Sequence, residues 1–356
     1  MPHSPLSINA RFLTQPQTGV QRYSLEVLNA LDGLLEPGEA VAYCPPVKRI
    51  NVPWKNIQLH AAGRFRGNRW EQIDLTWLSR GSLLFSPANI GPILKHHQVV
   101  TIHDTSVFAF PQAYTFAFRL KYQNVFRCMA RTAKHVFTVS DFSKRELQHW
   151  LQLPPECISV VYEGNEHLDK SPADSGVLER LLLAGKPFFI VIGSNSLHKN
   201  LQVVLEANKL LAHGQYDIVV ITGDYSQVFQ PTHLEWAGNV KRCDYVTDHE
   251  LGDLYHHALG LIFPSLYEGF GLPLVEAMAN SCPVICSDIP SSREVCAESA
   301  LFFDPLEPRE LSAKMQMLMN QPGLRADMIA SGLERSQGFS WKKAAQEIKL
   351  VLDRYI

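Results

Sequence analysis

The chain has 356 residues, of which 46% are hydrophobic and 19% charged, so it can bury a large core and is not a disordered or low-complexity chain. A chain of this length predicts two domains, because a single hydrophobic core stops growing near ~250 to 300 residues. No apolar run approaches the ~18 residues of a membrane span, and the first residues lack the apolar segment of a signal peptide. We therefore expect a cytoplasmic protein.

The net charge of -2 conceals a difference between the two halves of the chain. Residues 1–170 carry 18 Lys and Arg against 13 Asp and Glu, whereas residues 171–356 carry 15 against 22. A mildly basic first half would suit peripheral contact with an anionic membrane or an anionic acceptor. No basic stripe is interleaved with aromatic residues, so a nucleic-acid partner is not expected. The seven cysteines show neither zinc spacing nor a disulfide pattern.

The first half alternates helical and strand-like patterns. A helix is predicted over about Val20–Leu35, behind a Thr18-Gly19 start. Four short β-branched runs follow, typical of strands buried in a parallel sheet: Leu83–Phe85, Val99–Ile102, Val136–Val139 and Ile158–Val161. His103 and Ser140 directly follow two of these runs. Because the carboxyl ends of strands line the ligand crevice of a doubly wound sheet, both residues are functional candidates.

The second half repeats this alternation after a polar linker at His167–Ser175. The predicted strands are Phe188–Ile192, Ile218–Ile221, Leu261–Phe263, Pro283–Cys286 and Leu301–Phe303. The predicted helices are Asn200–Ala212, Asp248–Ala258 and Leu272–Asn280, with a final helix after Phe339. Two such βαβ patterns predict the α/β class, with two Rossmann-like domains.

The most informative segment is Ser265–Met278, which follows one predicted strand and opens a helix. Gly269 and Gly271 permit a tight turn, and the helix start behind them directs backbone amides outward. Such a turn suits a phosphate. Glu268 and Glu276 flank the turn, and carboxylates there would accept hydrogen bonds from the hydroxyls of a sugar or ribose.

This segment resembles the donor-site signature of family 4 glycosyltransferases, which have the GT-B fold and retain the anomeric configuration. The match continues through Pro283–Pro290 and Arg293–Val295. The resemblance implies two Rossmann-like domains that face each other across a cleft. The acceptor domain would span 1–170, the nucleotide-sugar domain 171–338, and a helix at 339–356 would cross back to the first domain.

Other positions match the family in the same order along the chain. Thr18–Tyr23 resembles its N-terminal glycine turn, which implies that Gly19 and Val20 approach the donor phosphate. Thr101–Asp104 and Thr138–Ser143 resemble the strand ends that carry its His and Ser, here His103 and Ser140. Ile192–Leu201 resembles the loop with a diphosphate-binding lysine, here Lys199. The family usually has Arg before that lysine, whereas this chain has His198.

The resemblance implies a division of roles among these residues. His103, Lys199 and Glu268 are the expected catalytic residues. Charge on the departing diphosphate would be stabilised by Lys199, the Gly19 turn and the backbone around Gly269, Phe270, Gly271 and Leu272. Glu268 would bind the donor sugar, and Glu276 the ribose. No metal and no cofactor is expected, because no convincing Asp-x-Asp follows a strand.

The acceptor is less defined. Val107–Tyr122 holds six aromatic residues just after His103. The segment is either core or an exposed contact for a glycan or polyprenyl-linked acceptor at the inner membrane face.

The favoured function is transfer of a hexose, with mannose from GDP-mannose as the donor, in surface polysaccharide synthesis. The alternatives are a catalytically silent nucleotide-sugar-binding subunit of a polysaccharide assembly complex and a nucleotide-sugar epimerase of the same fold.

Overall fold

The computed structural model describes residues 5–47, 50–168, 175–183, 185–211, 215–222 and 234–356. These residues form two compact units. The first contains the described residues of Met1–Thr105, Leu120–Gly164 and Ser340–Ile356, and the second those of Ser106–Arg119 and Asn165–Phe339. Among the described residues, no helix is both long and apolar enough to cross a membrane.

The first unit is built on a seven-stranded sheet in which every strand pair is parallel. Its strands are β1 (Leu6–Asn9), β2 (Ala40–Cys44), β3 (Ile57–Ala61), β4 (Leu83–Ser86), β5 (Gln98–Thr101), β6 (His135–Thr138) and β7 (Ile158–Val160). They are ordered β3-β2-β1-β4-β5-β6-β7. The order reverses between β1 and β4, so this is the topological switch point of the sheet.

Helices connect these strands. They are α1 (Gly19–Asp32), α2 (Gly67–Arg69), α3 (Leu75–Leu78), α4 (Ser106–Ala109), α5 (Phe116–Thr132) and α6 (Asp141–Leu151). The predicted first helix is present as α1, and its buried face includes Tyr23, Val27 and Leu28. Residues Trp70–Asp74 form a π-helical turn between α2 and α3.

The second unit repeats this topology with a six-stranded parallel sheet. Its strands are β8 (Phe188–Ile192), β9 (Asp217–Ile221), β10 (Val240–Cys243), β11 (Gly260–Phe263), β12 (Val284–Ser287) and β13 (Ala300–Phe303). The order β10-β9-β8-β11-β12-β13 places the switch point between β8 and β11. Therefore β8 and β11 correspond to β1 and β4 of the first sheet.

Besides α4, which lies in Ser106–Arg119, the described residues of this unit form seven helices, and the last helix of the chain groups with the first unit. The seven are α7 (Val177–Arg180), α8 (Leu201–Lys209), α9 (Asp248–His257), α10 (Leu272–Ala279), α11 (Pro290–Cys296), α12 (Pro308–Asn320) and α13 (Pro322–Ser336). The last helix is α14 (Trp341–Leu352). Its Trp341 ring lies 5.9 Å from the ring of Tyr23 on α1.

The α/β class is confirmed, and all nine predicted strands are present to within one or two residues. The sequence prediction omitted β1, β2, β3 and β10. β1 includes the polar residues Ser7 and Asn9, while β3 and β10 are edge strands with partly exposed side chains. β1 and β3 nevertheless alternate apolar and polar residues and β2 is apolar throughout, so these three strands carry a pattern that the prediction overlooked, whereas β10 shows neither pattern.

The predicted domain limits differ from the observed units in two places. Ser106–Arg119 and Asn165–Leu168 group with the second unit rather than with the rest of residues 1–170. Asn165 explains the second difference, because its side-chain amide donates to the carbonyl oxygens of Ser336 and Phe339, at 2.9 and 3.0 Å. Most of the predicted linker, residues 169–174, lies outside the described residues.

Candidate functional site

The two loops at the switch point of the second sheet are bound to each other. The loop after β8 leads to His198 and Lys199, and the loop after β11 includes Leu266 and Glu268. The backbone N–H of Leu266 donates to the carbonyl oxygen of His198 at 2.7 Å. The side-chain amide of Asn200 donates to the carbonyl oxygen of Pro264 at 3.1 Å. These bonds fix the loops where a doubly wound sheet binds its ligand.

Lys199 and Glu268 meet between these loops. Lys199 Nζ lies 2.5 Å from Glu268 Oε1, and the side chains are 22% and 14% exposed. The lysine stem passes over Gly193, where an added Cβ would lie 3.5 Å from its carbons. The ammonium group is also 5.8 Å from the ring centroid of Phe263. A cation and a carboxylate are therefore held side by side at the sheet edge, in partial contact with solvent.

Helix α10 begins directly behind this ion pair. Gly271 precedes the helix with a φ of +103°, and a Cβ there would lie 2.9 Å from Leu274 Cδ1. Only glycine adopts this conformation without strain. Phe270 and Leu272 are buried, and the Phe270 ring packs 5.7 Å from that of Phe339. The predicted tight turn therefore exists, and it carries the chain from Glu268 into α10.

Glu276 lies one turn into α10 and is held by two other side chains. Its Oε1 is 2.9 Å from His167 Nε2, and its Oε2 accepts a hydrogen bond of 3.0 Å from the Tyr255 hydroxyl. All three side chains are buried. Burial and the adjacent carboxylate raise the pKa of Tyr255, so its hydroxyl stays protonated and remains a donor. Glu276 is therefore fixed in orientation, and each oxygen keeps one lone pair.

His198, at the position where the resembling family has Arg, is packed against aromatic rings. It is 6% exposed, and its ring stacks on Tyr114 with centroids 5.9 Å apart and an interplanar angle of 18°. The edge of Phe110 lies 6.5 Å away, and Ser196 Oγ is 3.3 Å from Nδ1. This environment gives His198 a packing role and explains why Ser106–Arg119 groups with the second unit.

The predicted glycine turn of the first unit opens α1. Thr18 precedes the helix, and its backbone N–H donates to Gln21 Oε1 at 3.2 Å. Gly19 is the first helical residue and Val20 the second. A Cβ built on Gly19 would meet no atom within 4 Å, so its backbone borders open space. The turn thus leaves room for a ligand to approach the start of α1.

His103 follows β5 and is 5% exposed. Its Nε2 lies 3.1 Å from the carbonyl oxygen of Pro87, which can only accept, so Nε2 carries a proton. Its Nδ1 is 3.7 Å from Glu163 Oε1, and the ring of Tyr23 meets it edge-on at 4.5 Å. Both ring nitrogens therefore face acceptors of the first unit, and His103 is in contact with α1.

Ser140 follows β6 and caps α6. Its side-chain oxygen accepts a hydrogen bond from the backbone N–H of Ser143 at 2.9 Å, and the residue is fully buried. The Ser143 hydroxyl donates to the carbonyl oxygen of His103 at 3.0 Å. This contact connects the ends of β5 and β6. Helix capping accounts for a small polar residue at position 140.

Comparison with known proteins identifies the family. Residues 179–335 match the family model of group 1 glycosyl transferases. O-antigen chain mannosyltransferase RfbU of Salmonella typhimurium is 31% identical over 344 residues, which cover 88% of this chain and 91% of the relative. O-antigen chain mannosyltransferase B of Escherichia coli is 30% identical over 264 residues, covering 70% and 68%.

The chain belongs to the group 1 glycosyltransferases. Solved structures agree at the level of the fold. Sucrose-phosphate synthase of Thermosynechococcus elongatus matches with a TM-score of 0.76 at 16% identity, covering 99% of both chains. Anabaena HepE in complex with UDP and glucose matches with a TM-score of 0.74 at 14% identity, covering 99% of this chain and 100% of that chain. The predicted GT-B fold and glycosyltransferase activity are thus confirmed.

The glycosyltransferase keeps its predicted site residues in two groups. Lys199, Glu268 and the turn from Gly269 to Leu272 lie together in the second unit, with Glu276 one turn further along α10. In the first unit, His103 contacts the helix that begins at Gly19, and Ser140 caps the adjacent strand end. The roles of these residues in binding and catalysis stay predictions.

Two residues that hold Glu276 escaped the sequence prediction. His167 was placed in a linker, and Tyr255 lay within the predicted helix Asp248–Ala258 without an assigned role. Tyr255 lies 21 residues from Glu276 and His167 lies 109 residues away. No spacing rule within one element connects residues so far apart, so only the folded unit reveals the network.

The aromatic segment Val107–Tyr122 lies partly in the core and partly at the surface. Val107, Phe108 and Tyr114 are buried, and Phe118 stacks on Tyr114 with ring centroids 5.5 Å apart. Phe116, in contrast, is 67% exposed. Only Phe108 and Tyr114 of its six aromatic residues are buried, so most of the segment is not core.

The described residues contain no cluster of three or more His, Cys, Asp or Glu side chains that could hold a metal ion. Metal independence and the lack of a cofactor stay predictions.

Proposed function

We propose that this glycosyltransferase transfers mannose from GDP-mannose to a glycan or polyprenyl-linked acceptor in surface polysaccharide synthesis, with retention of configuration and without a metal. The names of its relatives support the sugar and the pathway, since two of them are O-antigen mannosyltransferases. The contact between Lys199 and Glu268 carries the proposal, because it puts a cation for the diphosphate beside a carboxylate for the sugar.

Glycosyl transfer builds negative charge on the departing nucleotide diphosphate while the sugar becomes cation-like. In the proposed mechanism, Lys199 and the backbone amides at the start of α10 stabilise the departing charge. Glu268 accepts hydrogen bonds from sugar hydroxyls. Glu276, oriented by His167 and Tyr255, accepts them from the ribose.

No side chain is assigned as a nucleophile. The departing phosphate would take the acceptor proton on the face where the new bond forms. His103 is unsuited to act as a base through Nε2, because that nitrogen already donates to the Pro87 carbonyl. We propose that His103 lies beside the transferred sugar and that its buried contacts fix the end of β5. A covalent adduct trapped at Glu268 would overturn this mechanism.

We further propose peripheral contact with the cytoplasmic face of an anionic membrane through the first unit. Ile73 and Trp77 are each 53% exposed and lie four residues apart on the helical stretch of α2, the π-turn and α3. Phe65 is exposed just before that stretch, beside the exposed residues Arg64 and Arg66. Apolar side chains framed by cations suit the interface of an anionic bilayer.

The membrane contact is tested by co-sedimentation with vesicles of phosphatidylcholine alone or with added phosphatidylglycerol. We expect binding to the anionic vesicles, and loss of binding in Ile73→Ser/Trp77→Ser. Leu306→Ser is the matched control, since it removes an apolar side chain that is 73% exposed from the second unit, outside the aromatic segment. Equal binding of the double variant and the wild type would contradict the proposal.

The donor is tested by thermal unfolding of the wild type and Glu276→Ala with GDP-, UDP-, ADP- and dTDP-sugars, with and without a chelator. A ligand at 100 times its dissociation constant adds roughly 2.7 kcal/mol, which is seen as a shift of a few degrees. We expect a chelator-insensitive shift with GDP-mannose, weakened in the variant. The same samples are assayed for mannose transfer to a polyprenyl-linked glycan. No shift with any nucleotide sugar would refute the proposed donor site.

A further inference from the structure

The first sheet has a polar cluster at its own switch point, between β1 and β4. In the second sheet, the equivalent strands β8 and β11 lead to Lys199 and Glu268. Asn9 ends β1, and its side-chain amide donates to the carbonyl oxygen of Ile90 at 3.1 Å, beyond the end of β4. Asn200 joins the two switch-point loops of the second sheet in the same way. The same amide of Asn9 also donates to Glu71 Oε1 at 2.7 Å. The Glu71 carboxylate is thereby held at the switch point of the first sheet.

Glu71 is buried and only partly satisfied. It is 1% exposed, and its Oε1 lies 3.3 Å from Arg11 Nε. Its Oε2 is buried and has no hydrogen-bond partner among the described residues. Burial raises the pKa of Glu71, and Arg11 and Asn9 oppose that rise. Glu71 also belongs to the π-helical turn Trp70–Asp74, a feature often found at functional sites. A buried carboxylate is costly unless it is paired and hydrogen-bonded, and Arg11 and Asn9 are the partners of Glu71.

Arg11 is the group that Glu71 positions. The contact between Arg11 Nε and Glu71 Oε1 is an ion pair without the alignment of a hydrogen bond, and within the described residues neither terminal nitrogen of the guanidinium donates a hydrogen bond. Arg11 follows β1 by two residues and is 11% exposed. A guanidinium paired on its Nε side keeps its two terminal NH2 groups for a ligand, and together they form a fork that matches a phosphate.

Lys121 adds a second cation. It is exposed, its ammonium lies 5.2 Å from the ring centroid of Tyr122, and it forms no hydrogen bond or ion pair with the described part of the chain. Burial of its stem and the nearby Arg11 lower the pKa of Lys121, whereas Glu71 raises it. Lys121 therefore interacts electrostatically with both residues. Arg11 is paired with Glu71 and Lys121 lies within electrostatic range of both, so two cations accompany one carboxylate.

We propose that Arg11 and Lys121 form an anion site for the phosphate or diphosphate of the acceptor. The inference rests on the proposed function, because it defines which acceptors that reaction can use. Leu120, adjacent to Lys121, is 48% exposed. An apolar group attached to the phosphate would pack against it. A neutral glycan would use neither cation. The inferred acceptor therefore carries its phosphate close to the membrane-facing helical stretch that also holds Glu71.

The site is tested by calorimetric titration of the full-length Lys199→Ala variant, which removes the donor-side lysine that would bind the same anions. The probes are inorganic pyrophosphate, farnesyl diphosphate and farnesol. Added substitutions are Arg11→Gln and Lys121→Gln, and the control is Arg131→Gln, an exposed cation further along α5. We expect Arg11→Gln to weaken both diphosphates by about tenfold and Lys121→Gln by about threefold, while Arg131→Gln has no effect.

The outcomes separate the inference from the proposed function. Tighter binding of farnesyl diphosphate than of pyrophosphate, with the same dependence on Arg11, supports a lipid-linked acceptor. Equal binding of the two supports a phosphorylated acceptor without a lipid. Diphosphate binding that is unchanged by Arg11→Gln and Lys121→Gln overturns the inference, and so does farnesol binding that depends on them. Lys121 is exposed, so its variant should fold. The donor shift of the wild type tests the proposed function independently.

Discussion

Nε2 of His167 lies 2.9 Å from Oε1 of Glu276, although the two residues are 109 positions apart. The carboxylate expected to bind ribose is therefore oriented by a residue near the beginning of the second unit. The Tyr255 hydroxyl holds the other oxygen at 3.0 Å. A carboxylate with two fixed partners does not have to be immobilised when a ligand binds, which reduces the entropic cost of binding.

We predict that His167→Leu weakens the binding of the nucleoside diphosphate about tenfold, because Glu276 loses a buried donor and its orientation. His167→Gln can place an amide N–H near the former Nε2 and should stay within about threefold of the wild type. Calorimetric dissociation constants measure both effects. Equal weakening by Leu and Gln, or none by either, would show that His167 does not act through Glu276.

Substitution of Glu268 should affect the binding of the nucleoside diphosphate and of the nucleotide sugar differently. Glu268→Gln frees Lys199 from its carboxylate partner and removes the proposed acceptor of sugar hydroxyls. The free nucleoside diphosphate should then bind at least as tightly as before, while the nucleotide sugar binds about tenfold more weakly. Lys199→Met should lower kcat by about 10² or more, because it removes a cation at the developing charge. If Glu268→Gln weakened both ligands equally, Glu268 would not be specific to the sugar.

Gly19→Ala tests whether a ligand approaches the backbone at the start of α1. Its Cβ would enter open space and its φ is not positive, so the fold should tolerate the change. If the diphosphate contacts the start of α1, the methyl group should weaken nucleotide binding about tenfold with no loss in Tm. Gly323→Ala is the matched control, since Gly323 also lies in the first turn of a helix with open space at its Cβ. An unchanged dissociation constant for Gly19→Ala would remove this turn from the donor site.

The Glu268 to Glu276 string could be predicted from the sequence because its chemistry is local, whereas Lys199 was expected from the family resemblance. A strand, a glycine turn and a helix start place these residues at one sheet edge, whatever surrounds them. Their partners could not be predicted this way. His167, Tyr255 and Asn9 contact side chains that are far away in the sequence. Local pattern and the family resemblance therefore located the donor-side loops but not the network behind them.

The buried His135 should make the first unit less stable at acidic pH. Burial, aided by Arg354 and Lys144, lowers its pKa from 6.5 to about 4. Below about pH 6.5 the unfolded chain binds a proton that the folded chain excludes, so this stabilising contribution falls as the pH decreases from about 6.5 to 4. In His135→Gln, an amide can still bond to the Ser159 hydroxyl, which lies 2.9 Å from Nε2 in the wild type. Urea midpoints at pH 7.5 and 5 should therefore differ more for the wild type than for His135→Gln, and equal differences would contradict the prediction.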